Sequence, residues 1–127
     1  MNAILLVFFG AGIGGVARHL VNITAPRLVG YGFPFGTMCI NVLGSFLIGC
    51  VAGWLVFRAD ASWSQHARLF TVTGILGGFT TFSAFSLDFA TLWERGATLP
   101  AFGYALASVI GAIIALFLGL WLARSLP

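Results

Sequence analysis

The chain contains no lysine, and only three of its 127 residues are acidic. Charged residues of both signs make up 7% of it, against about a quarter in a soluble globular domain. Too few charges remain to clothe a water-facing surface, which excludes an ordinary soluble fold. The three acids, Asp60, Asp88 and Glu94, form no catalytic dyad, and His19 and His66 have no serine, cysteine or acid at motif spacing. An enzyme is therefore not expected. Cysteine is scarce too. Cys39 and Cys50 fall in one apolar run, and on one helix they would lie about 16 Å apart, too far for a disulfide. The six basic residues, all arginine, are spread over loops and ends. They make no patch for nucleic acid and read instead as anchors at a membrane surface.

What is present is oil. Hydrophobic residues account for 60% of the chain, and the mean hydropathy is +1.06. Cutting the chain at its charges leaves 17 uncharged residues before Arg18, 30 from Leu28 to Phe57, 19 from Leu69 to Leu87 and 28 from Gly96 to Ala123. A bilayer-spanning helix needs about 20 such residues. The pattern predicts an all-α integral membrane fold, one domain over 1–127 with four transmembrane helices at about 3–24, 36–57, 69–93 and 101–123. The first run lacks a basic segment ahead of it and meets Arg18 where small cleavage-site residues would stand, so it is expected to be retained. Pro26 and "GYGFPFG" (Gly30–Gly36) mark the first connection, "RADASWSQHAR" (Arg58–Arg68) the second and "ERGATLP" the third. Trp54, Trp63, Trp93 and Trp121 lie near helix ends, as interfacial aromatic belts do.

Orientation is weakly encoded. With four spans the two termini and the second connection share a side, which holds Arg58, Arg68 and Arg124; the other side holds Arg27 and Arg95, with Arg18 near the end of the first helix. Cytoplasmic loops normally carry the excess of basic residues, and here it almost vanishes. Such a chain can insert either way up, the alternative being one topology fixed by the N-terminus. Small residues prepare close packing: Gly10/Gly14, Gly49/Gly53 and Gly74/Gly78 are GxxxG pairs, and Gly103, Ala107, Gly111, Ala115 and Gly119 make a ladder along the fourth helix. Four thin helices enclose no wide lumen, so a conduit would be narrow or shared between subunits.

Polar groups concentrate in two places. Asn41 sits a turn or so into the second helix, where an unpaired amide is unfavourable; it either clamps a neighbouring helix or lines a polar path. The third helix carries "GGFTTFSAFSLD" (Gly77–Asp88). There Thr80, Ser83 and Ser86 share a stripe at i, i+3 spacing, and Phe82, Phe85 and Phe89 lie on an adjoining one. Phenylalanines at that spacing serve core packing, and serines can bond their own helix. Yet both stripes follow Gly77-Gly78, where a helix break would free carbonyls able to hold a small cation. Aromatic edges are positive and attract anions, whereas faces attract cations. Asp88 is either an intramembrane acid, hence a functional candidate, or already at the interface. With arginines at both ends, the balance favours a narrow track for anions through an oligomer.

"GGFTTFSAFS" (Gly77–Ser86), "GTMCINVLGSFLIG" (Gly36–Gly49) and "GAGIGGVARH" (Gly10–His19) resemble the Fluc (CrcB) fluoride channels, and the resemblance extends over essentially the whole chain. It implies a passive fluoride-selective channel in the cell inner membrane, exporting cytoplasmic fluoride, built as an antiparallel, dual-topology homodimer with a broken third helix. It implies two pores, each shared by both subunits. Phe82 and Phe85 would face fluoride with their ring edges, Asn41 would donate to it, and Ser83, Ser86, Tyr104 and Ser108 would make the polar track. Arg18 and Asp88 would belong to the vestibule. A structural sodium ion, not transported, would be held by main-chain carbonyls of Gly77 and Thr80. Asp88 stands where that family often has glutamate, and Ala112 where some members have serine. The competing reading, a small multidrug-resistance-like exporter, requires a glutamate in the first helix, and Ala3–Thr24 contains no acid.

Overall fold

The computed structural model describes residues 2–126 except 59–62, with the backbone alone at 57 and 58. Asp60 and the Arg58 side chain thus lie outside the described residues. Those described form helices and connections without a strand. Four helical spans are long and apolar enough to cross a membrane.

Helix α1 covers Ala3–Val29, opened by Asn2, whose Oδ1 accepts the Ile4 N–H at 3.0 Å. It passes through Pro26 instead of ending before it. A proline lacks the N–H that would bond the carbonyl four residues back, but so near the end the loss is confined to the last turn. Gly30, at φ 97°, stops the helix and gives its N–H to the Pro26 carbonyl at 2.9 Å. The extension moves Arg18 from the end of the span to its interior, about 16 Å short of the C-terminal end at 1.5 Å per residue.

Helix α2 covers Phe35–Arg58. The expected second loop is partly helical: α3 (Trp63–Arg68) runs directly into a π-helical stretch at Leu69–Leu76, followed by the short α4 (Gly77–Phe79). Gly77 and Gly78 are therefore helical. The extended residues are Thr80 (ψ 156°) and Thr81 (φ −154°, ψ 120°), after which α5 runs over Phe82–Glu94. Gly96, at φ 76°, turns the chain into α6 (Thr98–Ser125), which accepts Pro100 in its first turn, where proline removes no needed donor.

Glycines set the packing. Gly10 and Gly14 of α1 press on backbone of the third span at Phe70, Gly74, Ile75 and Phe79, while Gly78 lies against Ala11. On α2, Gly49 faces the backbone of Leu116, Gly119 and Leu120 of α6, and Gly53 meets Ala123. The α6 ladder is close-packed only in its second half. Gly119 touches the α2 backbone, Gly111 approaches the Val42 side chain, and Gly103 has open space beside it. Cys39 and Cys50 are both free thiols.

Candidate functional site

Thr80 N–H keeps its helical partner, the Leu76 carbonyl, at 3.0 Å, but Thr81 does not, and a side chain supplies one. Asn41 Oδ1 accepts the Thr81 N–H at 2.8 Å, and Asn41 Nδ2 donates to the Thr81 carbonyl at 2.9 Å. Thr81 in turn caps α5, its Oγ1 accepting the Ala84 N–H at 3.1 Å. Thr80 Oγ1 donates to the Leu76 carbonyl at 2.9 Å, and the Thr80 methyl fills the space that Gly44 leaves on α2. Of the two roles open to Asn41, the clamp is plain. The path remains compatible with it, because a carboxamide has a second N–H and Asn41 lines a groove.

That groove, about 270 Å³, is bordered by Asn41, Ser45 and Ile48 of α2, Thr80 to Phe82 and Phe85 across the break, and Ser108, Val109 and Ala112 of α6. Ser108 is 3% exposed, and its Oγ has no partner among the described residues. A buried hydroxyl without a partner calls for a ligand or a water, and this one borders the groove. Phe82 is 76% exposed, its ring centroid 5.4 Å from that of Phe85. The Phe85 ring is 5.2 Å from Tyr104, whose own ring meets the edge of Phe33 at 5.6 Å and 87°. Aromatic rings thus continue from the groove into the packing between α5 and α6.

A second cavity, about 310 Å³, opens where the first connection meets the end of α5, bordered among others by Asn22, Gly36, Thr37, Asp88, Thr91 and Arg95. Half-buried Asp88 accepts a hydrogen bond from fully buried Tyr104, OH to Oδ2, at 3.2 Å. Arg18 does not border this mouth. From inside α1 its Nη1 points at the Thr80 carbonyl, 3.5 Å away, at the long limit of hydrogen bonding. Two serines also depart from the groove. Ser86 is exposed and donates to the Phe82 carbonyl of its own helix at 3.0 Å; Ser83 is exposed, with its Oγ 3.3 Å from Thr81 Oγ1.

Over residues 5–120 the chain matches the family described as CrcB-like protein, Camphor Resistance (CrcB). The chain belongs to the CrcB family. It is 69% identical over 127 residues to a protein of Mesorhizobium japonicum named fluoride-specific ion channel FluC, covering the whole of both chains. A protein of the same name from Granulibacter bethesdensis is 58% identical over 126 residues, 99% of this chain and 98% of that one. Another, from Hyphomonas neptunium, is 52% identical over 124 residues, 98% and 97% of the two chains.

In this CrcB protein the break changes the partners of two carbonyls. In an unbroken helix the Gly77 carbonyl would accept the Thr81 N–H and the Thr80 carbonyl the Ala84 N–H. Asn41 takes the first of these donors and Thr81 Oγ1 the second. Both carbonyls thereby lose their helical donors, and Arg18 Nη1 stands 3.5 Å from that of Thr80; carbonyl oxygens are the kind of ligand hard cations take. Among the described residues no group of three or more His, Cys, Asp or Glu gathers to offer an alternative. Thr81, Ser45 and Gly44 are site residues that the sequence reading did not single out. Gly44 had a signal, one turn from Asn41 on the same face, but its purpose shows only once the Thr80 methyl is placed.

Proposed function

We propose that this chain forms a fluoride-selective channel, which exports cytoplasmic fluoride passively across the cell inner membrane and so limits its toxicity. The observation that carries the reading is the groove at the helix break, where a carboxamide, an unpartnered buried hydroxyl and two phenylalanine rings converge. Relatives named fluoride-specific ion channels, matched end to end, point the same way. The chain is not an enzyme.

Fluoride is small and strongly hydrated; moving such an ion into low dielectric costs on the order of 20 kcal/mol in the idealised limit. The protein must replace its water with several modest donors in series, so that the ion enters without being trapped. Asn41 Nδ2 keeps one N–H for this, Ser108 Oγ has no partner among the described residues, and Phe82 and Phe85 offer ring edges. Tyr104 and Asp88 connect that track to the wider mouth beside Arg95, and Ser83 adds a hydroxyl next to Thr81. Ser86 joins only by releasing the Phe82 carbonyl. Arg18 acts from within the span, a positive field at the break that favours an anion there. A narrow donor-lined path excludes chloride by size. An interior-negative potential supplies about 2.3 kcal/mol per charge per 100 mV, enough to drive export without coupling.

A groove with a largely exposed phenylalanine is half a conduit. The reading is completed by an antiparallel second copy, in keeping with the near-even arginine count, and by two pores between them. A sodium ion at the Gly77 and Thr80 carbonyls would supply fixed positive charge between the copies. The test is fluoride efflux from liposomes holding the purified protein, beside a chloride control. Rapid fluoride release with silent chloride is expected, and Phe82→Ile should abolish it while leaving the dimer intact. A folded dimer that releases no fluoride overturns the reading.

A further inference from the structure

Asn41 faces the groove with one N–H, but its two hydrogen bonds go elsewhere. Both are made to the backbone of Thr81, one accepted and one donated, at 2.8 and 2.9 Å. We infer that Asn41 is the positioning residue of the carbonyl site: its Oδ1 holds the Thr81 N–H away from the helix, and so releases the Gly77 carbonyl for a cation. The inference rests on the sodium reading above.

The hydrogen bonds around the break support it from both sides. Thr80 N–H still bonds the Leu76 carbonyl at 3.0 Å, so the α-helical bonding pattern is kept at that point. The next N–H, that of Thr81, is the first to leave, and it leaves to Asn41. A buried backbone N–H is almost never left unpaired. Without Asn41 the Thr81 N–H would be driven back toward the Gly77 carbonyl, closing the break and taking away a ligand. Gly44, three residues along α2, makes room for the Thr80 methyl, so the same face of α2 both seats and fastens the extended pair. One carboxamide thereby serves both ions: an oxygen that builds the cation site and a remaining N–H that faces the anion groove.

The roles separate by substitution. Sodium is titrated into purified, full-length protein in detergent, against N-methylglucamine, and the melting temperature is followed. A saturable rise is expected for the wild type. Asn41→Leu removes the acceptor and should weaken the apparent sodium affinity roughly 10- to 100-fold, the scale for outer-shell partners of a metal. Asn41→Asp keeps an acceptor for the Thr81 N–H and should retain the sodium response while losing fluoride efflux. Phe82→Ile should retain the response as well. If Asn41→Leu does not fold, Asn41→Ala makes the same test with less bulk. A sodium response unchanged in Asn41→Leu or Asn41→Ala overturns the inference and leaves the sodium reading standing. No response in the wild type overturns the sodium reading, and the inference with it.

Discussion

Gly49 and Gly119 face one another across α2 and α6, and adding a methyl to either should separate the helices. A Cβ on Gly49 would run into the Leu116 carbonyl oxygen and come within 3.0 Å of the Leu120 nitrogen and 3.1 Å of the Gly119 Cα. A Cβ on Gly119 would run into the Phe46 carbonyl oxygen and lie 2.8 Å from the Cys50 nitrogen. Every one of these neighbours is backbone, so no rotamer change can make room. Overpacking costs about 1–3 kcal/mol, and with rigid neighbours each substitution should fall in the upper half of that range. One separation relieves both clashes, so the double variant should cost less than the sum of the singles by about 0.5–3 kcal/mol. Gly103 supplies the control on the same helix. Nothing lies within 4 Å of its added Cβ, and Gly103→Ala should be neutral or gain up to about 1 kcal/mol of helix propensity. Reversible unfolding in mixed micelles, followed by circular dichroism at fixed protein concentration, measures all four. Gly49→Ala and Gly119→Ala both within about 0.5 kcal/mol of wild type, the scale of an ordinary surface change, would refute the close-packing argument; so would a Gly103→Ala as damaging as either.

Two further substitutions test other contacts. On α1, Gly14→Ala drives a methyl into the Ile75 backbone whereas Gly12→Ala meets nothing within 4 Å, so in the same assay the first should destabilise by about 1–3 kcal/mol and the second should not. Tyr104→Phe leaves Asp88 Oδ2 without its tyrosine donor; an intramolecular hydrogen bond contributes about 0.5–1.5 kcal/mol, and a melting temperature indistinguishable from wild type would mean the carboxyl group is not held through it.

The four spans were legible because charge in a membrane protein is confined by its cost, so each charge-free run falls on a helix. The runs do not fix the ends, since α1 continues through Arg18 and Arg27 to Val29 and the third span begins at Trp63. Pro26 and Pro100 read as boundaries, yet both sit within a turn of a helix end, where the missing N–H matters little, and the helices run through them. With α1 prolonged to Val29, the Arg18 guanidinium lies within the span and points at the Thr80 carbonyl.

The helix break illustrates the same limit at the site itself. Gly77-Gly78 is the obvious place in the sequence for a helix to fail, since glycine has the poorest helix propensity short of proline. Both glycines nevertheless stay helical, and Gly78 is small because Ala11 of α1 lies against it. The helix opens at Thr80 and Thr81 because that is where other groups can satisfy a departing backbone: Asn41 for Thr81, and Thr81 Oγ1 for Ala84. Propensity marks where a helix is weakly held, but in lipid a helix opens only where its polar groups find partners. The first of those partners lies 40 residues away on α2, and no local pattern in the third span announces it. The placement of the break, and with it of every group that borders the groove, is therefore a property of the packed helices and of Asn41 in particular.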